Sequence, residues 1–404
     1  MSAKMATWLL IASISFLLCF ATPSAQAASL MGPVAVQPQE YYRPSPLPRC
    51  EECPSVDQLR APGIGLALEI DHGTAVVRLH EWELYDVALI EGDADFTALM
   101  RKYATGPINR RLSNKLLGRP ATPETAILAS IVSKLIKATQ TWLDDEHAVA
   151  AAVLSSPDHI ALTDEEIGDV FDYLKINNLM KVNDPNPLYQ LYATSAAYAG
   201  YGKGLCHTYT DAYECEREEW KFPEQRVLHV DLNLEALSGT IKGLQTAKDG
   251  SVSASFVDPD LGLVRLVLPA ADDTEQYWTA VSNRIRELAK TLERYVYMPY
   301  VTQLLLTGPS ATNERFQAAV REALHDLVRD ENVLDVLEHD NMVASKSNEW
   351  KSLFTFATAR GAAEIAKRRQ GGPVNCAQSD ECRRRREDVH GEPQPALVKQ
   401  RPEL

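Results

Sequence analysis

Beyond its leader the chain lacks any hydrophobic run long enough to span a bilayer, so no membrane partner is expected once that leader is removed. It lacks a G-x-S-x-G elbow, an H-E-x-x-H helix and a Gly-rich Walker loop, so nothing points to a serine hydrolase, a zinc protease or a P-loop enzyme. Histidine is sparse. The nine present are scattered, and none pairs at ligand spacing near the cysteines at either end, so no metal site is expected. Positive charge is short as well: 41 Lys and Arg stand against 55 Asp and Glu, a formal net charge of -14. Such a surface repels phosphate backbones and anionic headgroups, which argues against nucleic acid as a partner.

What is present begins with a leader. Lys4 supplies a positive start. Trp8 to Ala21 is an apolar stretch too short for an ordinary span, and Ser24-Ala25-Gln26-Ala27 has the small residues a signal peptidase inspects. Residues 1–27 are therefore expected to be a cleaved signal peptide, leaving a secreted protein or one held in the lumen of the secretory pathway. Residues 28–61 are Pro-rich and aperiodic, an extended leader. Residues 371–404 are polar and charge-mixed and are expected to be disordered. Within them Arg383-Arg384-Arg385-Arg386 is a candidate for endoproteases that cut after paired basic residues.

Six cysteines remain after the leader, in three close pairs: Cys50 with Cys53, Cys206 with Cys215, and Cys376 with Cys382. An even count in an exported chain suggests disulfides. Only short polar stretches separate the members of each pair, so local pairing is the first expectation. Cys50-Glu51-Glu52-Cys53 has redox spacing, but a Pro-rich segment precedes it and Pro54 follows, which is not the strand-to-helix context of a thioredoxin-type motif.

The body, from about residue 62 to 370, alternates strands and helices. Ile64 to Leu79 and then Trp82 to Ile90 read as an opening strand pair. A helix is predicted after Thr122, with Leu128, Ile131 and Leu135 on one stripe, followed by a short apolar strand ending at Leu154. Thr163-Asp164-Glu165-Glu166 is a capping box opening another helix. Pro187 opens a helix rich in small residues: Ala193, Ala196, Ala197 and Gly200. The pattern then restarts. Val227–Leu232, Leu237–Leu244, Val252–Val257 and Leu263–Leu268 are strand candidates. An amphipathic helix through Trp278, Val281 and Ile285 follows, then a strand over Val301–Leu306 and helices over Asn313–Leu327 and Asn348–Arg369. Strands followed by helix–strand–helix, twice over, predict two α/β lobes: residues 62–205 and 226–370, joined by a Cys-bracketed insertion and linker at 206–225.

Three short motifs could carry chemistry. Asp71-His72-Gly73-Thr74 falls in a predicted hairpin turn, where Gly73 lets a phosphate approach the backbone and Asp71 and Thr74 flank it. Turns of this composition also join hairpins with no ligand. Leu304-Leu305-Leu306-Thr307-Gly308-Pro309-Ser310 is an apolar strand running into a glycine turn, the place where α/β folds hold ligands. Asp231, near the end of a strand, could face a metal or water.

Taken in order, these pieces resemble the nucleotide-binding domain of the seventy-kilodalton heat-shock chaperones, in the actin, sugar-kinase and chaperone superfamily. Ile70-Asp71-His72-Gly73-Thr74 resembles the first phosphate loop, I-D-L-G-T. Lys181-Val182-Asn183-Asp184-Pro185 with Ala196-Ala197-Tyr198-Ala199-Gly200 is similar to the N-E-P-T-A-A-A segment and its helix. Val230-Asp231-Leu232 stands at the second phosphate loop. Leu304 to Ser310, with Arg315-Phe316 and Arg321-Glu322-Ala323-Leu324, resembles the adenosine-binding strand, turn and helix. Ala359-Arg360-Gly361-Ala362-Ala363 is close to the A-x-G-A-A run of the last helix. Within the superfamily the chain resembles short, divergent secreted fungal members. The resemblance implies a two-lobed actin-like ATPase fold, of the ribonuclease H-like kind, and nucleotide contacts from Asp71, Gly73, Thr74, Asp231 and Gly308.

The departures bear on function. The second phosphate loop of the family reads D-L-G-G-G-T, and here it reads Asp231-Leu232-Asn233-Leu234-Glu235-Ala236, with every glycine replaced. Pro309 lacks an amide hydrogen where the family has a second glycine. Asp184 stands near the catalytic glutamate position, and Lys115 is a loose candidate for the catalytic lysine. No peptide-binding domain is expected after the body. The expectation is a chaperone-like pseudo-ATPase that works as a binding or interaction protein on a protein partner, without a cofactor. Two other readings stay open: an active ATPase using Mg-ATP, and a disulfide-bonded structural protein without ligand. If nucleotide is lost, side chains should have taken over the cleft. At least one of Leu232 and Leu234 should then be buried, and Glu235 should face solvent or a cation.

Overall fold

The computed structural model describes residues 46–79, 83–105, 119–144, 149–160, 162–181, 190–248, 252–267, 274–294, 299–337, 344–373 and 376–391. The expected signal peptide, most of the Pro-rich leader, Lys115, Asp184 and the last part of the tail lie outside them.

The first sheet is built from β1 (Gly63–Leu68), β2 (His72–Arg78), β3 (Leu84–Glu91), β4 (Ala151–Ser156), β5 (Asn177–Asn178) and β6 (Leu191–Tyr192). Its order is β3-β2-β1-β4-β5, with β6 also on β4. β1, β2 and β3 form an antiparallel meander, and β4 joins β1 in parallel. The second sheet contains β7 (Gln225–Leu232), β8 (Leu237–Leu244), β9 (Val252–Asp258) and β10 (Gln303–Thr307), ordered β10-β7-β8-β9. It repeats the plan: an antiparallel meander, then a parallel strand beside the first strand. The chain is thus mixed α/β with two sheets. Ile64 to Leu79 is itself a hairpin, so the opening unit has three strands where sequence periodicity suggested two. Leu263–Leu268, expected as a strand, contains a short helix instead, because its amides at 263 and 264 bond to the turn after β7 and no strand partner is left for them.

The helices are α1 (Val56–Arg60), α2 (Ala94–Ala104), α3 (Pro123–Trp142), α4 (Asp164–Leu174), α5 (Ala193–Gly200), α6 (Ala212–Trp220), α7 (Val264–Val267), α8 (Thr274–Lys290), α9 (Glu314–Leu324), α10 (Ala344–Gly371) and α11 (Asp380–Gly391). Local chemistry starts several of them. Thr122 caps α3 ahead of Pro123, Thr163 and Glu166 form the capping box of α4, and Asn313 caps α9. Among the described residues, no helix is long and apolar enough to cross a membrane.

One core packs α2, α3 and α4 on the first sheet around Leu66, Leu68, Leu128 and Phe171. Another packs α8 and α9 on the second around Val230, Leu304, Val281 and Phe316. α10 follows the second sheet in sequence but packs against β1, β2, β4 and α5. Ala359 and Ala363 meet Ala67 and Val76 there, and small side chains are what permit so close a seat. This helix falls within the span 226–370 expected for the second lobe, and it packs on the first sheet as well as against β10.

Three disulfides form: Cys50–Cys376, Cys53–Cys382 and Cys206–Cys215. The last is the expected local pair. The two terminal pairs are crossed rather than local. The Cys50 amide donates to the Ala377 carbonyl at 3.0 Å and the Ala377 amide to the Pro48 carbonyl at 2.8 Å, which sets the two chain ends side by side. That backbone pairing fixes which sulfurs meet, and close spacing in sequence does not. The tail expected to be disordered from residue 371 contains α11, held by Cys382.

Candidate functional site

The two meanders turn at their ends, and those turns bring Asp71 and Asp231 into one region. β1 ends at Leu68, and Glu69, Ile70 and Asp71 make the turn before β2. Gly73 and Thr74 are therefore not in the turn, as the sequence suggested, but in the ladder, opposite Leu68 and Ala67. Thr74 is buried, and a Cβ on Gly73 would meet Leu135 of α3 at 2.9 Å. Neither presents a free backbone to a ligand.

The second turn is Asn233 to Ala236, and all four of its amides are taken by protein acceptors. The Asn233 side-chain oxygen accepts from the Glu235 and Ala236 amides at 3.0 and 2.9 Å. The Asn233 amide donates to the Ala236 carbonyl at 3.2 Å. The Leu234 amide donates across to Asp71 Oδ2 at 3.1 Å. From the other side, the Leu263 and Val264 amides donate to the carbonyls of Asn233 and Leu234. Asn233 thus builds from its side chain a turn that glycines would leave open.

The side chains agree with the expectation of a filled cleft. Leu232 is fully buried and Leu234 is 56% exposed. Glu235 pairs with Arg101 of α2, a cation. Asp231 is buried and accepts from Asn233 Nδ2 at 2.8 Å and Thr307 Oγ1 at 2.9 Å. Gly308 has φ +93°, and a Cβ there would lie 2.8 Å from Asp231 Oδ2 and 2.9 Å from the Leu232 carbonyl. Its glycine is needed for close packing on the second turn. Of the five sequence-predicted contacts, Asp71, Asp231 and Gly308 are brought together, and Gly73 and Thr74 are not.

Around these residues lies a buried polar chain that sequence reasoning missed. Asp158 Oδ2 accepts from the Thr194 amide at 2.8 Å and hydroxyl at 2.7 Å. Thr194 Oγ1 contacts His229 Nδ1 at 3.0 Å, and His229 Nε2 contacts Thr307 Oγ1 at 2.8 Å. Thr307 reaches Asp231. Lys242 adds a cation, donating to Ser195 Oγ at 2.9 Å. The only sequence signal was polar residues inside apolar strands, His229 within β7 and Lys242 within β8.

Electrostatics follow burial. Glu69 is pushed well above the usual carboxylate range, first by burial and then by repulsion from Asp231 and Asp71. Asp231 is raised by burial, against the pull of His72 and His229. Burial lowers His229, and it pushes the neighbouring His159 down to about 4. Glu69 and Asp231 therefore hold their protons to higher pH than free carboxyls do, and His159 and His229 give theirs up at lower pH than a free imidazole.

The residues present do not fit a magnesium nucleotide. The amides that would take phosphate oxygens are occupied, Asp71 is engaged by Leu234 and by His72 Nδ1 at 2.6 Å, and Asp231 by Asn233 and Thr307. No family model and no curated protein matches the chain.

Proposed function

We propose that the chain is a secreted, chaperone-like pseudo-ATPase of actin-like fold that acts as a binding protein rather than an enzyme. Support for the fold comes from the repeated plan of the two sheets, in which the first strand of a meander takes a parallel neighbour on its other side. Secretion is supported by three disulfides and by the lack of a membrane-spanning helix among the described residues.

One observation carries the loss of nucleotide chemistry: the four amides from Asn233 to Ala236 are all consumed within the protein, one of them by Asp71. A phosphate entering here would have to break those bonds and would face Glu235. Pulling those amides away would also leave the buried Asn233 side-chain oxygen without its donors, at about 1–3 kcal/mol for a polar group left unpaired. Calorimetry of the mature protein with Mg-ATP tests the reading. The expected result is no binding in the micromolar range. Micromolar affinity that disappears in Asp71→Ala would overturn it in favour of an active ATPase.

A further inference from the structure

Arg383-Arg384-Arg385-Arg386 is four consecutive cations in an otherwise acidic chain, and as an extended tail it would suit an endoprotease that cuts after paired basic residues. The structure folds the run instead. It lies in α11 directly after Cys382, whose sulfur is bonded to Cys53 just ahead of α1. Arg386 is 6% exposed and donates to the Thr210 carbonyl at 2.9 Å and to the Gly371 carbonyl. On the outer face, Arg383 and Arg385 pair with Asp380 and Glu381 one turn back.

Endoproteases bind the residues around the scissile bond in extended form. A helix advances about 1.5 Å per residue and an extended chain about 3.3 Å. Stretching the run from Arg383 to Arg386 therefore separates its ends by roughly 5 Å more than α11 allows. Both ends are anchored, at Cys382 through its sulfur and at Arg386 through the half-buried Thr210 carbonyl and the buried Gly371 carbonyl, so the extension cannot occur locally. Little else holds the helix. Its other buried hydrophobic side chain among the described residues is Val389, and most of its remaining residues are charged.

We infer that the Cys53–Cys382 disulfide is a lock on a latent processing site: the arginine run resists paired-basic endoproteases while the bond is closed and is cut once it opens. In the opening step a dithiol reductant gives two electrons and two protons to the bond. It becomes a disulfide, and Cys53 and Cys382 become thiols. In the cutting step water adds across an arginyl peptide bond of the run, and the chain beyond it leaves. Cys50–Cys376 still ties the two chain ends, so the body survives while the cover over Thr210 and Gly371 is lost.

The test uses the mature full chain, a paired-basic endoprotease and intact mass. Wild type is compared with Cys53→Ser/Cys382→Ser and with Cys50→Ser/Cys376→Ser. Cleavage of the transiently opened segment tracks its open population, so the first variant should be cut within the run at least about tenfold faster than wild type. The second variant should stay near the wild-type rate. Equal rates for wild type and the first variant, or equally fast cutting of both variants, overturn the inference. If a variant loses its near-ultraviolet circular dichroism, wild type is instead partly reduced with a dithiol, alkylated and then digested. The cut molecules should be those alkylated at both Cys53 and Cys382. Cutting of molecules with that bond intact, or survival of molecules in which it is open, refutes the lock.

Discussion

Replacing Gly361 by alanine should destabilise the fold, although alanine is the better helix former. Gly361 sits in α10 where it crosses α5. A Cβ built there would lie 2.6 Å from the Ala196 carbonyl carbon and 2.8 Å from the Gly200 amide nitrogen, both backbone atoms. No rotamer change can relieve a clash with backbone, so the helices must part. On its other side α10 is pressed on β1, where a Cβ on Gly65 would already lie 2.7 Å from the Ala363 Cα. A shift away from α5 is therefore a shift into the sheet. Overpacking of this kind costs about 1–3 kcal/mol, against a gain of about 1 kcal/mol from helix propensity. The net expected loss for Gly361→Ala is up to about 2 kcal/mol. Gly168 in α4 supplies the matched control, since nothing lies within 4 Å of a Cβ built there. Gly168→Ala should show propensity alone and stabilise by up to about 1 kcal/mol. Urea unfolding followed by tryptophan fluorescence gives both midpoints. If Gly361→Ala is as stable as wild type, or gains as Gly168→Ala does, the close seating of α10 is wrong.

Two further predictions concern buried charge. Glu69→Gln should raise stability at neutral pH: a carboxyl whose folded pKa lies above its unfolded value contributes stability below the unfolded pKa and loses it as pH rises through the raised value. Unfolding midpoints against pH should therefore fall less for the variant than for wild type above about pH 4.5, and parallel curves would contradict the assignment. Lys367, buried with its Nζ donating to the Leu59 and Ala61 carbonyls, is pushed down to about 8 by burial and by nearby Arg78. Between that value and the ordinary lysine value of 10.5 the unfolded chain binds the extra proton, so stability should rise with pH there by about 1.4 kcal/mol per unit relative to Lys367→Met. A pH-independent difference between the two proteins would count against it.

Much of the local structure was legible because its causes are local. The caps at Thr122, Thr163 and Asn313 act within three residues of themselves, and the apolar stripe through Trp278, Val281 and Ile285 repeats along one helix. What was missed depends on partners distant in sequence. Cys50 and Cys376 are 326 residues apart, and only the pairing of the two chain ends sets them opposite each other. α11 looked disordered because its own residues are charged, and its order comes from Cys53 and from the Thr210 and Gly371 carbonyls. Glu69 drew no notice as a turn residue; it is buried, with Thr358 of α10 hydrogen-bonded to it and Asp231 of the second sheet near enough to act on its charge. The absence of glycines after Asp231 was visible as letters. That Asn233 would build the turn, and that Asp71 would take the Leu234 amide, are facts of geometry.

The same geometry changes the work assigned to the acidic residues. In an open cleft Asp71 and Asp231 would be free carboxylates awaiting a cation. Here each is a hydrogen-bond acceptor with a structural partner: Asp71 holds the turn of the opposite sheet, and Asp231 joins Asn233 to Thr307. Burial raises the energy of the Asp231 charge, as its displaced titration records, and does the same at Glu69. Removing Asp231 would still leave the buried Asn233 amide group without its partner, which carries its own penalty. Both turns are built on these carboxylates. A side chain placed for chemistry and one placed for architecture can thus share a position in the sequence, and what separates them is whether the neighbouring amides are free.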